Sequence, residues 1–82
     1  AEWLATAWRH AGEPKAFSFI EAGPGRGVLM RDLLTRLQTA HPACYAAVRP
    51  VLVETSPALT TLQQTTLAAF PHTTWHTALP AT

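Results

Sequence analysis

Apolar residues recur at helical spacing in three segments of the chain. The first segment, residues 2–11, has one apolar side and would be ended by Gly12. The second begins after residue 27 and fades by Thr39, and the third follows Ser56 and Pro57, a typical N-cap and first helical residue. The pattern predicts three amphipathic helices. The apolar face of the first consists of Trp3, Leu4, Ala7, Trp8 and Ala11, and that of the second of Leu29, Met30, Leu33, Leu34 and Leu37. The apolar face of the third consists of Leu59, Leu62, Thr66, Leu67 and Phe70.

Short runs between these helices are rich in branched and aromatic residues. They predict strands at residues 16–21, 51–54 and 73–76, and a short helical piece at residues 43–48. Strands that alternate with helices favour a parallel sheet with right-handed crossovers. We therefore expect an α/β, Rossmann-like core of order α-β-α-β-α-β, truncated after the third parallel strand, with the strands arranged 3-2-1.

Length and composition limit what the chain can be. Its 82 residues allow one small domain, and only 13% are charged, about half the usual share, which suggests that further protein covers part of the surface. A net charge of +1 gives no case for nucleic acid or an anionic membrane, and no apolar run approaches a membrane span. We expect residues 1–82 to be the N-terminal, cofactor-binding half of one domain, poorly soluble or partly folded by itself. The oligomeric state is not predicted.

A glycine-rich segment at residues 21–27 joins the first predicted strand to the second predicted helix, the position of a nucleotide-cofactor loop. Glycine at positions 23 and 25 would let a ligand approach the backbone and would allow positive φ. The spacing G-x-G-x-G is typical of S-adenosylmethionine enzymes, whereas a dinucleotide fingerprint needs glycine where Val28 stands. A P-loop is excluded, because the only lysine, Lys15, lies outside the segment.

Two carboxylates accompany this loop. Glu54, at the end of the second predicted strand, could accept hydrogen bonds from both ribose hydroxyls of the cofactor, or could cap the helix that follows, although Ser56 could cap it alone. Glu21, beside the loop, would attract the amino group and sulfonium of S-adenosylmethionine and repel phosphates, or it could be structural.

Residues 21–34 together with residues 52–59 resemble the MidA family of class I S-adenosylmethionine-dependent methyltransferases. That family includes bacterial proteins and a mitochondrial complex I assembly factor that is a protein arginine methyltransferase. The pair Trp75-His76 also stands where the family often has such a pair, whereas Ala22 and Val28 replace its frequent leucine and threonine. The resemblance implies that the cofactor is lined by the loop and that its ribose is held by Glu54. The implied lining residues are Glu21, Gly23, Pro24, Gly25 and Gly27.

The resemblance implies methyl transfer to a protein side chain, with arginine favoured on that ground alone. Catalytic residues stay unassigned, because the family's substrate segment would lie beyond Thr82. Two alternatives remain open: an NAD(P)-dependent oxidoreductase and a non-catalytic interaction module. The expected location is the bacterial cytoplasm, or the mitochondrial matrix in a eukaryote.

No metal site is expected. His72 and His76 would lie ~13 Å apart along a strand, too far to share an ion. Cys44 has no marked basic partner and is expected to be a small apolar filler.

Overall fold

The computed structural model describes residues 1–78, which form four helices and three strands. The order is the predicted alternation, and the short helical piece predicted at residues 43–48 is present before the second strand. In chain order the elements are α1 (Glu2–His10), β1 (Phe17–Ala22), α2 (Val28–Ala40), α3 (Pro42–Ala47), β2 (Val48–Val53), α4 (Pro57–Thr66) and β3 (Thr74–His76).

The three strands form one parallel sheet in the order β1-β2-β3, so the predicted fold class and strand order are confirmed. In the register, Ala22 of β1 lies opposite Val53 of β2, which in turn lies opposite His76 of β3. The carboxyl ends of all three strands therefore meet at one edge. The loop that follows β1 is tied to this edge, because Gly23 N–H donates to the Val53 carbonyl at 2.9 Å.

One face of β1 carries the core and the other is open. Burial alternates along β1, with Phe17, Phe19 and Glu21 half-buried and the residues between them exposed. Because side chains alternate between the faces of a strand, the helices cover only the face of Phe17 and Phe19. A single apolar cluster lies there, built from Leu4, Ala5, Trp8, Met30, Leu34, Leu37, Cys44, Ala47, Val48, Leu52, Leu67 and Phe70.

The second strand is longer than the sequence predicts. It begins at Val48 and includes Arg49 and Pro50, whereas the prediction began it at residue 51. Glu54 N–H donates to the His76 carbonyl, so Glu54 faces β3, and by alternation Pro50 faces the same side. Pairing between β2 and β3 begins only at Val51, so Pro50 has no β3 partner beside it. Its missing N–H therefore removes no hydrogen bond from the sheet.

The first helix is rotated relative to its predicted apolar face. Leu4, Ala5 and Trp8 are buried, whereas Trp3 is 59% exposed and Ala7 is also exposed. The Trp8 indole N–H donates to the Pro14 carbonyl at 3.0 Å, which fixes this orientation. The exposed ring of Trp3 tilts against Phe19, with their centroids 5.7 Å apart.

The other two predicted apolar faces are each wrong at one leucine. On α2, Met30, Leu34 and Leu37 are buried, but Leu29 is 69% exposed. On α4, Leu62 is 47% exposed and the neighbouring Gln63 is fully buried in its place. The helix also ends at Thr66, before the predicted residue 70, although Leu67 and Phe70 in the following turn stay in the core.

Candidate cofactor-binding site

The loop between β1 and α2 has the backbone shape that its glycines predict. Gly23, Gly25 and Gly27 all have positive φ, at 63°, 60° and 83°. Open space surrounds the position that a Cβ would occupy at Gly23 and at Gly25. A side chain is disfavoured there by backbone strain, and the space beside the loop is free for a ligand to approach the main chain.

The third glycine serves a different purpose from the first two. A Cβ at Gly27 would meet Gln63 and Leu67 of α4 at 3.5 to 3.6 Å, so this residue lets α2 begin close against α4. Its N–H donates to the carbonyl of the buried Pro24 at 3.1 Å, which closes the turn. No side chain among residues 1–78 caps α2, and an uncapped helix N-terminus leaves N–H groups that favour an anionic group such as a carboxylate.

Glu54 directly follows β2 and has a donor on each carboxylate oxygen. Ser56 N–H donates to Oε2 at 3.1 Å, and the Gln63 side-chain amide donates to Oε1 at 3.0 Å. These two hydrogen bonds, the one from Ser56 first, lower the pKa of the Glu54 carboxyl below its usual value. The side chain is half-buried and ionised at neutral pH, and each oxygen keeps a lone pair for a further donor.

Glu54 is not the cap of α4. The Ser56 hydroxyl accepts from Leu59 N–H at 3.2 Å, which is the usual N-cap interaction, and Pro57 occupies the first helical turn. The carboxylate instead bonds the N–H of Ser56 itself and fixes the turn between β2 and α4.

Glu21 lies at the same edge of the sheet in a different environment. Its Oε1 is buried, and no described residue donates a hydrogen bond to it. Burial raises the pKa of this carboxyl, since desolvation disfavours the charged form. The side chain lines a groove of about 360 Å³ between α1 and α2, with Trp3, Phe19 and Leu29 among the other residues of its wall. A cation placed beside Oε1 would supply the missing partner.

The structure thus places the six sequence-predicted residues at or beside two neighbouring strand ends, but the groove that Glu21 lines includes none of the other five. This arrangement fits a cofactor with adjacent hydroxyls, a positive centre and a carboxylate better than one with two phosphates, because both flanking side chains are acidic.

Comparison with known proteins identifies the family. Residues 1–82 match the model of a family described as "Putative S-adenosyl-L-methionine-dependent methyltransferase". The chain belongs to this methyltransferase family.

Three curated relatives, all named as protein arginine methyltransferases, are similar to the chain over about three quarters of its length. Over 61 residues, the chain is 39% identical to the mitochondrial protein arginine methyltransferase NDUFAF7 homolog of Drosophila melanogaster. The alignment covers 74% of the chain and 14% of that protein. It is 41% identical over 64 residues to NDUFAF7 of Xenopus laevis, with the same coverage. It is 38% identical over 68 residues to human NDUFAF7, covering 79% of the chain and 15% of that protein. The chain therefore spans about a seventh of the length of these relatives.

Sequence reasoning on this methyltransferase segment missed Gln63. The residue is fully buried and bonds the Gly25 carbonyl, Glu54 and the Trp75 indole. A signal was present, because Leu59, Gln63 and Leu67 are spaced four apart and share one side of a helix. A glutamine on an apolar row marks a buried polar group that needs partners.

The remaining chemistry-bearing residues stay outside the site. Cys44 is buried in the core, and burial raises the pKa of its thiol, as befits an apolar filler. Among residues 1–78, no three metal-ligating side chains cluster closely enough to hold an ion. No helix in that range is long and apolar enough to cross a bilayer.

Proposed function

We propose that the full-length protein binds S-adenosylmethionine at this edge of the sheet and transfers its methyl group to a protein side chain. The observation that carries the proposal is the loop of three positive-φ glycines, open at Gly23 and Gly25 and flanked by Glu21 and Glu54. When bound, the cofactor would supply an activated methyl group on its sulfonium, so the chain's own task is to position it and exclude water.

The proposed roles follow from the environment of each residue. Glu54 is ionised and held by two donors, so it would accept the ribose hydroxyls on its remaining lone pairs. Glu21 has a buried oxygen without a donor among the described residues, so it would take a cationic group of the cofactor. Gly23 and Gly25 would admit the cofactor to the backbone.

Two further loop residues complete the proposal. Pro24 is buried and would keep the turn rigid, and Gly27 would let the uncapped start of α2 approach the cofactor carboxylate. Catalytic residues are not assigned to any of these positions.

An arginine side chain is the proposed methyl acceptor. The support is the printed name of the matched relatives, which are protein arginine methyltransferases, together with the resemblance of residues 21–34 and 52–59 to the MidA family. The same names describe mitochondrial proteins, which supports the mitochondrial matrix over a bacterial cytoplasm as the location.

Calorimetric titration of the full-length protein with S-adenosylmethionine, NAD⁺ and NADP⁺ tests the cofactor. We expect binding of S-adenosylmethionine alone; binding of a dinucleotide alone would establish the oxidoreductase alternative. Incubation with methyl-labelled cofactor and mitochondrial protein, followed by amino-acid analysis, tests the acceptor. We expect label in methylarginine. Cofactor binding without any labelled protein would instead favour a non-catalytic interaction module.

A further inference from the structure

We propose that Gln63 is the positioning residue of this site, which sets the cofactor affinity by locking the Gly25 carbonyl and the Glu54 carboxylate in one arrangement without contacting the cofactor. The proposal rests on the proposed function for its ligand, but its geometric basis is independent of that ligand. It assigns a role to a residue that lies outside both the glycine loop and the strand ends.

The hydrogen bonds of Gln63 join three parts of the fold. Its Nε2 donates to the Gly25 carbonyl at 2.6 Å and to Glu54 Oε1 at 3.0 Å, and its Oε1 accepts from Trp75 Nε1 at 3.0 Å. The loop after β1, the end of β2 and strand β3 are thereby tied to a single side chain on α4. The residue is fully buried, so water cannot replace these bonds without opening the packing.

Glutamine is the side chain that satisfies all three partners. A carbonyl and a carboxylate only accept hydrogen bonds, and an indole N–H only donates, so the partners also determine which way the amide points. Glutamate offers an acceptor to the indole but no donor to the other two groups. Methionine has a similar length and offers neither, and asparagine is one methylene shorter.

The two donated bonds act on the ligand-facing groups. The bond to the Gly25 carbonyl fixes the peptide that links Gly25 to Arg26, in a loop where glycine alone would leave the backbone free. The bond to Oε1 stabilises the ionised form of Glu54 and leaves its second lone pair in a fixed direction. Losing either bond would let the loop peptide or the Glu54 carboxylate adopt more orientations, and the cofactor would bind only some of them.

Ionisable groups on the neighbouring elements enter any test that varies pH. They are Glu21 on β1, Arg26 in the loop and His76 on β3, and none of them forms an ion pair with Glu54 within residues 1–78. Because these three groups are common to every variant, only a change at Gln63 alters the partners of the Glu54 carboxylate.

The test compares Gln63→Glu with Gln64→Glu in the full-length protein. Both substitutions add one negative charge to α4, but Gln64 is exposed and makes no hydrogen bond to the site. We expect Gln63→Glu to weaken S-adenosylmethionine binding about tenfold at pH 8, since it removes two donors and places two carboxylates together. Binding should recover toward the parent value as pH falls to about 5.5, because two adjacent carboxylates then share a proton and a donor returns. Any pH dependence that Glu21, Arg26 and His76 contribute is shared by all the proteins, so the ratio of the Gln64→Glu affinity to the parent affinity should stay constant over this range, whereas the ratio for Gln63→Glu should not.

A purely structural role would give a different result. It would weaken binding by the same factor at every pH, or leave Gln63→Glu indistinguishable from Gln64→Glu, and either outcome would overturn the proposal. Gln63→Met is the apolar counterpart and should weaken binding about tenfold without any recovery at low pH.

Measurements on the unsubstituted protein guard against a variant that fails to fold. We expect carbon NMR to give Glu54 a pKa below its usual value, and the Gln63 side-chain amide protons to exchange far more slowly than those of Gln64. Equal exchange rates would refute the positioning role even if S-adenosylmethionine binds. Conversely, a protein that binds no S-adenosylmethionine but shows the slow amide would refute the proposed function and leave the Gln63 lock established.

Discussion

Glu21 and Glu54 are two carboxylates at the same edge of one sheet, and the fold treats them in opposite ways. Glu54 has a donor on each oxygen and a lowered pKa. Glu21 has a buried oxygen to which no described residue donates a hydrogen bond, and burial raises the pKa of the Glu21 carboxyl. The fold itself therefore prepares Glu54 as an anion, whereas Glu21 is incomplete, because the described residues supply no donor to its buried oxygen.

Blocking the loop should remove the effect of both carboxylates at once and gives the largest expected change. Gly25→Val should reduce S-adenosylmethionine affinity by roughly a hundredfold or more, because the side chain fills the open approach to the backbone. It should also cost about 1–2 kcal/mol of stability, since φ is +60° at this position.

Gly12→Val is the matched control for this experiment. Gly12 also has positive φ and open space around it, but it precedes β1 and so lies far from the carboxyl end of that strand. Calorimetry and denaturation should show a similar loss of stability in both variants and a loss of affinity only for Gly25→Val. Equal affinities would show that the loop does not admit the cofactor.

Removing the prepared anion should have the second-largest effect. We expect Glu54→Ala to weaken S-adenosylmethionine binding about thirtyfold in calorimetry, because two charge-assisted hydrogen bonds to ribose are lost. Glu54→Gln should retain packing but still lose the charge, and circular dichroism should show that both variants fold.

Ser56→Ala separates ribose binding from helix capping. It removes the cap of α4 and leaves the Glu54 carboxylate in place. We expect it to lower the free energy of unfolding by about 1 kcal/mol with little change in affinity. If Glu54→Ala behaves like Ser56→Ala, with unchanged binding, the ribose assignment is wrong.

Neutralising the incomplete acid should affect binding and stability in opposite directions. Because the folded-state pKa of Glu21 is raised, its ionisation costs stability as pH rises through that pKa, and no such cost exists at lower pH. Glu21→Gln should therefore raise the stability of the ligand-free protein near neutral pH by a few tenths of a kcal/mol. It should weaken S-adenosylmethionine binding about fivefold, since a carboxylate–cation attraction is lost.

Asp32→Asn provides the control for Glu21, because Asp32 lines the same groove and is already paired with Arg31 at 3.2 Å. Denaturation with and without cofactor should leave this variant close to the parent. A Glu21→Gln protein that binds as tightly as Asp32→Asn would make Glu21 a structural residue.

Substitution of the surface residue Glu2 should change stability and cofactor affinity least, so it serves as a reference for the two carboxylates at the sheet edge. Its hydrogen bond to Arg36, at 3.0 Å, lowers its pKa to about 2, yet both side chains are about 60% exposed. A lowered pKa stabilises the fold above the unfolded value of 4.5, and the contribution is lost as pH falls toward 2. Glu2→Gln should slightly flatten acid unfolding in that interval and leave cofactor affinity unchanged, because solvent screens the pair. A change in affinity would mean that the groove beside α1 is coupled to the site.

Local signals allowed much of this arrangement to be predicted. The apolar periods identified the helices, the glycine spacing located the loop, and the alternation of strands and helices determined the parallel order that the sheet shows. The start of β2 was harder, because Pro50 normally ends a strand and is tolerated only where β3 has not yet begun.

By itself, the sequence determined which residues share a helix side, where the chain must turn, and which acids end the strands. Only the tertiary structure decided how far each helix rotates on the sheet, and so that Leu29 and Leu62 are exposed while Gln63 is buried. It alone also decided the opposite environments of Glu21 and Glu54. The physical reason is separation along the chain: the bond from Gln63 to the Gly25 carbonyl spans 38 residues, and no local pattern encodes a partner that only packing brings within reach.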